Sequence, residues 1–211
     1  MPTSTVTGHT NDGVIHYSHA LVGIARLNAT GTVTDGDSTY SVGIDRTALG
    51  RSVIYRYNRA FFYFDLAGLS GTISSVTLRV SQSGTGTHRF YAVEWSGGNS
   101  LAAGDYDSVF TSGSGGTSAM TAYSGVVASS GSSGYDEFEF NSDGELAVRN
   151  ALDAMFKVAL VSKEDYNGTL SISQDYLETY TFSNALLNKP QLVIVFEDEA
   201  VDNAVFFGTN F

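Results

Sequence analysis

Four histidines, His9, His16, His19 and His88, and three close carboxylate groupings are the residues of this chain best equipped for chemistry. His16 and His19 are an odd number of residues apart, so on a strand they face opposite ways and cannot share a metal. No HExxH and no GxSxG sequence occurs, so neither a metalloprotease helix nor a nucleophile elbow is expected. Asp35 and Asp37 flank Gly36, Asp105 and Asp107 flank Tyr106, and Glu164-Asp165 precedes Tyr166-Asn167-Gly168. Loops rich in carboxylates can supply oxygens to calcium, which makes Asp35, Asp37, Asp105 and Asp107 the candidate ligands. None completes a calcium-loop pattern, however, and Asp-Gly and Asn-Gly are turn chemistry before anything else. The expectation is a protein that is not an enzyme and carries no cofactor or metal.

Aromatic rings offer a second kind of chemistry, since an exposed flat ring with a polar rim can stack a sugar. Trp95, Tyr106, Phe61 and Tyr63 are the candidates for such stacking. The competing reading covers these rings with Met120, Val126 and Val127 from a later segment. Arg59 and Asp65, on the same strand face as Phe61 and Tyr63, read as a strand-edge ion pair, of little value if exposed.

Composition limits the possibilities. The 211 residues include no Cys, which excludes disulfides, a thiolate metal site and a cysteine nucleophile. Acidic residues outnumber basic ones 22 to 11, for a net charge of −11. Such a chain is repelled by nucleic acid and by anionic membrane surfaces, so neither is expected as a partner. The opening residues, MPTSTVTGHTNDG, contain neither a charged nor an apolar segment, so no signal peptide is expected.

The elements that must position these residues are mostly strands. Asn58–Val80 reads NRAFFYFDLAGLSGTISSVTLRV. Phe62, Phe64 and Leu66 alternate on one face, a turn follows at 67–71, and Val76, Leu78 and Val80 alternate on the next run. Similar alternation predicts strands at 14–17, 39–44, 53–57 running on to 60–66, 75–81, 89–94, 137–140, 156–161, 169–172, 179–182 and 191–197. One period-3.6 run, opened by Ser142-Asp143-Gly144-Glu145 as a capping box, predicts a single short helix over 143–154. In residues 111–134 fourteen of 24 are Gly or Ser, which predicts a surface excursion with a brief extended piece. The fold class is therefore all-β: a two-sheet antiparallel β-sandwich, jelly-roll-like, with one short helix. A chain of this length suits one domain. It spans residues 1–197, with 1–11 as an N-terminal arm and 198–211 as a C-terminal tail. The expected core is Phe62, Phe64, Leu66, Val76, Leu78, Val158, Leu160, Leu192 and Ile194.

With these elements in order, the chain resembles DNRLRE-type β-sandwich domains, which are similar to carbohydrate-binding modules. The resemblance rests on TYSVG (39–43), Tyr55-Arg56, RAFFYFDLAGLSGTISSVTLRV (59–80), FEFNSDG (138–144), KVALVSKEDYNG (157–168) and YTFSNALLNKPQLVIVF (180–196). Ser183-Asn184 and Lys189-Pro190-Gln191-Leu192 stand where the family has its closing motif. The resemblance implies a module of secreted bacterial proteins or of bacteriophage virions. The expectation is a non-enzymatic virion protein, first a capsid decoration or cement, next a tail or fibre part. Its partners would be other virion proteins, with self-association. The alternative is a carbohydrate-binding module that attaches to a cell-surface glycan. Val205, Phe206, Phe207 and Phe211, appearing abruptly after an acidic stretch, are the expected subunit-docking residues.

Overall fold

The computed structural model describes residues 1–9, 11–35, 39–82, 88–110, 119–128, 134–169, 178–183 and 189–198. Among the described residues twelve strands carry the fold. They are β1 (Thr3–Thr7), β2 (Gly13–His19), β3 (Thr32–Asp35), β4 (Thr39–Leu49), β5 (Ser52–Asp65), β6 (Ile73–Gln82), β7 (Arg89–Glu94), β8 (Val127–Ala128), β9 (Gly134–Glu139), β10 (Met155–Ser162), β11 (Glu178–Ser183) and β12 (Gln191–Phe196). All pairings among the described residues are antiparallel, and the architecture is the expected all-β two-sheet sandwich.

The first sheet is built on β5, whose 14 residues make it the longest strand. β2 pairs with it over Tyr55–Phe61, while β4 (Ser52–Asn58) and then β10 (Ala60–Asp65) succeed one another as its further partners. β3 extends the β2 side, and β7 and β8 extend β10. β6 organises the second sheet, flanked by β12 and β9, with β1 outside β12. β11 joins the sheets, pairing with β4 along its length and touching β6 at Phe182–Gln82. Residues 3–7, read from sequence as an arm, thus form an edge strand. Alternating small polar residues gave that segment no apolar face to announce it.

Between the sheets lies the main core. All nine residues expected there are buried within it, joined by Val80, Phe138, Phe156 and Phe196. The alternation in β5 therefore has the expected register, with the even-numbered side chains of 60–66 turned inward. The segments 53–57 and 60–66 form one uninterrupted strand. The predicted strand at 169–172 falls largely outside the described residues.

Helical structure exceeds the expectation of a single helix. α1 (Val22–Leu27) and α3 (Lys163–Asn167) accompany α2 (Ser142–Asn150), and a 3-10 turn spans Ala103–Tyr106. α2 differs in two details. Its N-cap is Asn141, whose side-chain oxygen accepts from the backbone N–H groups of Asp143 and Gly144, each at 3.0 Å. Asn is among the strongest N-caps, so it displaces the Ser142 box by one residue. The helix also ends earlier, because the chain must turn into β10. Asp153 takes a left-handed φ of 60° there, and its side chain accepts from Gly68 N–H.

Candidate functional site

The outer face of β5 carries Arg59, Phe61 and Tyr63, and all three are completely buried. A second hydrophobic layer covers them, drawn from α1, the segment from Trp95 to Phe110, Met120 and α3. This corrects the sugar-stacking expectation. Trp95 is 3% exposed, and Phe61, Tyr63 and Tyr106 are 0% exposed, so none presents a ring face to a ligand. Trp95 meets Phe61 and Tyr63 edge-on, with ring centroids 4.9 and 4.7 Å away. Tyr106 donates its hydroxyl proton to the Ala25 carbonyl at 2.6 Å. The cover includes Met120, whereas Val126 is exposed and Val127 packs against the other core.

Arg59 sits at the centre of this layer, and its partner is Asp165 rather than Asp65. Its Nε donates to Asp165 Oδ2 at 2.7 Å and its Nη2 to Oδ1 at 3.0 Å, a two-pronged pair. The remaining donors reach the carbonyls of Tyr106 and Arg26, and the guanidinium lies 4.2 Å over the Tyr106 ring. Arg26 approaches the same carboxylate, Nε to Oδ1 at 3.2 Å. Burial alone would lower the Arg59 pKa, but Asp165 outweighs it and the net shift is upward. Asp65 instead accepts from Ala67 N–H in the turn after β5.

Asp165 reaches this position because α3 starts at Ser162, whose hydroxyl accepts from Asp165 N–H at 3.2 Å, and ends at Gly168 with a φ of 64°. Ser162-Lys163-Glu164-Asp165 followed by Gly168 is an N-cap and C-cap signature that could have revealed this helix. Nothing in the sequence could link Asp165 to a strand residue 106 positions earlier.

Of the proposed calcium ligands, the structure describes the side chains of Asp105 and Asp107, and both serve one turn. Asp105 is buried and accepts from Ala102 N–H at 2.8 Å, closing its own turn. Asp107 caps that turn, and Asp35 ends β3. Asp37, Val205, Phe206, Phe207 and Phe211 lie outside the described residues. Among the described residues no three His, Asp or Glu side chains gather as a metal set. Two histidines serve turns: His9 Nδ1 accepts from Asn11 N–H, and His19 Nδ1 from Leu21 N–H.

One buried acid has an unusual state. Asp12 accepts from Tyr63 N–H at 2.8 Å, yet burial pushes its pKa up to about 8 against the pull of that bond and of Lys189. It is therefore largely protonated at neutral pH.

An open groove of about 430 Å³ lies among β2, β4 and β5. Ser18, Asp45, Thr47, Leu49, Ile54 and Arg56 line it. Asp45 Oδ2 accepts from Arg56 Nε at 3.1 Å and from Asn58 Nδ2 at 3.2 Å, while its Oδ1 is buried with no hydrogen-bond partner among the described residues. Beside it, burial and the Arg56 charge lower the His16 pKa. Comparison with family models and with curated proteins finds no match to this chain.

Proposed function

We propose that this protein is a non-enzymatic structural component of a bacteriophage virion, with capsid decoration or cement as its first placement and a tail or fibre role as its second. The observation that carries the reading is the double burial of β5. Side chains able to do chemistry are spent on internal bonds there, Arg59 on Asp165, Asp105 on Ala102 and Asp12 on Tyr63. Such a molecule is a scaffold that holds its shape. The resemblance to DNRLRE-type domains supports the same reading, and the net charge of −11 disfavours a nucleic-acid partner. The carbohydrate-binding alternative loses its four stacking rings to the second core. Density-gradient-purified particles from the producing culture test the proposal. The protein should co-sediment with them in many copies and resist high-salt washing. Its absence from the particles would overturn the reading.

A further inference from the structure

One backbone nitrogen in this chain is placed to attack its neighbour. Asn167-Gly168 is the only Asn-Gly pair in the sequence, and both residues are exposed at the end of α3. Glycine has no Cβ to crowd its nitrogen, so that nitrogen can close on the side-chain carbonyl of the asparagine before it. Asn58 and Asn141 are committed elsewhere: Asn58 Nδ2 donates to the Gly43 carbonyl and to Asp45, and Asn141 caps α2 while donating to the Ala122 carbonyl. Among the described residues no side-chain bond of this kind holds Asn167.

Arg26 supplies a second condition. Its guanidinium lies against Gly168, where an added side-chain carbon would sit 3.4 Å from Arg26 Cζ and Nη1. The positive charge is therefore within about 6 Å of the Gly168 nitrogen. Attack requires that nitrogen to give up its proton, and a cation at this range favours the resulting anion. In the closed helix the Gly168 N–H is bonded to the Asp165 carbonyl at 3.2 Å and directed also at the Glu164 carbonyl. That is the long end of the normal range. It closes a helix of only five residues, whose last turn opens at little cost.

We propose that Asn167 is a self-modification site, at which the Gly168 nitrogen displaces ammonia from the side-chain amide and Arg26 promotes the attack. A C–N bond forms between Gly168 N and Asn167 Cγ, the carboxamide C–N bond breaks, and the Gly168 proton passes through water to the departing ammonia. Water then adds across either C–N bond of the succinimide ring and leaves aspartate or isoaspartate at position 167. No electrons are gained or lost. The new carboxylate arises beside Arg26, which already reaches Asp165 Oδ1 at 3.2 Å. In the isoaspartate product the main chain is longer by one methylene, so Gly168 no longer closes α3. The hold of Asp165 on Arg59 is then loosened from the helix side. None of this depends on a virion.

The test follows the intact, folded, full-length protein at mildly alkaline pH, by peptide mapping and by enzymatic methylation of isoaspartate. The peptide that contains Asn167 should convert to the acid forms ahead of every other asparagine peptide. Arg26→Gln should slow that conversion roughly threefold, and Arg26→Lys should restore most of the rate. A purely structural role for Arg26 has the opposite sign, because a helix that loses a contact opens more often and reacts faster. In urea the wild-type and Arg26→Gln chains should convert alike. Conversion in urea with none in the folded protein overturns the modification site. An Arg26→Gln rate equal to or above that of wild type overturns the role of Arg26, and so does a difference between the two that persists in urea.

Discussion

Arg59 shows how much one side chain can hold in this protein. It is fully buried, bonded at both prongs to Asp165, and shared between the Tyr106 and Arg26 carbonyls. Removing one member of a buried pair leaves an uncompensated charge and typically costs about 3–5 kcal/mol. Arg59→Ala should approach that loss in chemical denaturation. Arg59→Lys should recover only part of it, because an ammonium lacks the planar fork that the carboxylate and two carbonyls require. Equal stability of the Lys variant and wild type would show that charge alone matters. Asp12 sets a second expectation, of opposite character. Its pKa rises from 3.8 in the unfolded chain to about 8 in the folded one, so the folded state holds the extra proton. Stability from this group is fully present below about pH 4 and drains away progressively until pH passes about 8. His16 and His88, both lowered by burial, oppose folding only at pH values below about 6.5. Between about pH 6.5 and 8 wild type should therefore lose up to about 1.4 kcal/mol per pH unit, levelling off above that range. Asp12→Asn should flatten that slope, and an unchanged slope would place the titration elsewhere.

At the scale of elements, α2 makes a sharp test of local chemistry. Asn141 accepts two helix N–H groups and also donates Nδ2–H to the Ala122 carbonyl at 2.8 Å, tying the helix start to the segment before β8. Asn141→Ala should cost about 1–2 kcal/mol, the upper part of the usual range for an N-cap. Ser142→Ala should cost far less. The reverse order would restore the Ser142 capping box. Elements whose signal is local were legible in the sequence. Alternation announced β5, β6, β7, β10 and β12, and turn residues set most of their limits. The even face of β5 was assigned correctly because its opposite faces carry different side chains. What stayed hidden depends on distant partners. Alternation says that Phe61 and Tyr63 share a face, but not that a second layer will close over it. α1 has six residues and no side-chain cap, so neither its length nor its start gave it away. β1 is polar and becomes a strand only because the β12 edge is there to receive it.

At the scale of the whole molecule, the described residues form two cores with one wall between them. Phe62 and Phe64 of β5 and Val158 and Leu160 of β10 point into the inter-sheet core. Phe61 and Tyr63 of β5 and Ala159 and Val161 of β10 point into the outer one. Neither layer can open without exposing the back of strands on which the other depends, so the cores should melt as one unit. The outer layer is pinned from three sides: by Asp165 from α3, by Arg26 from α1 and by the Tyr106 carbonyl. Trp95 is the only tryptophan and lies within that layer, against Phe61 and Tyr63, with Lys157 Nζ 5.8 Å from its ring centroid. Its emission therefore reports the outer core alone, while far-ultraviolet circular dichroism reports the strands of both sheets. In a urea titration of the wild-type protein the two signals should give the same midpoint and the same slope, as a two-state transition requires. Emission that shifts to the red well before the strand signal falls would mean that the Trp95–Phe110 cover peels off first. β5 would then be the wall of a single core with a detachable lid, and the Arg59–Asp165 pair would be a latch instead of a keystone.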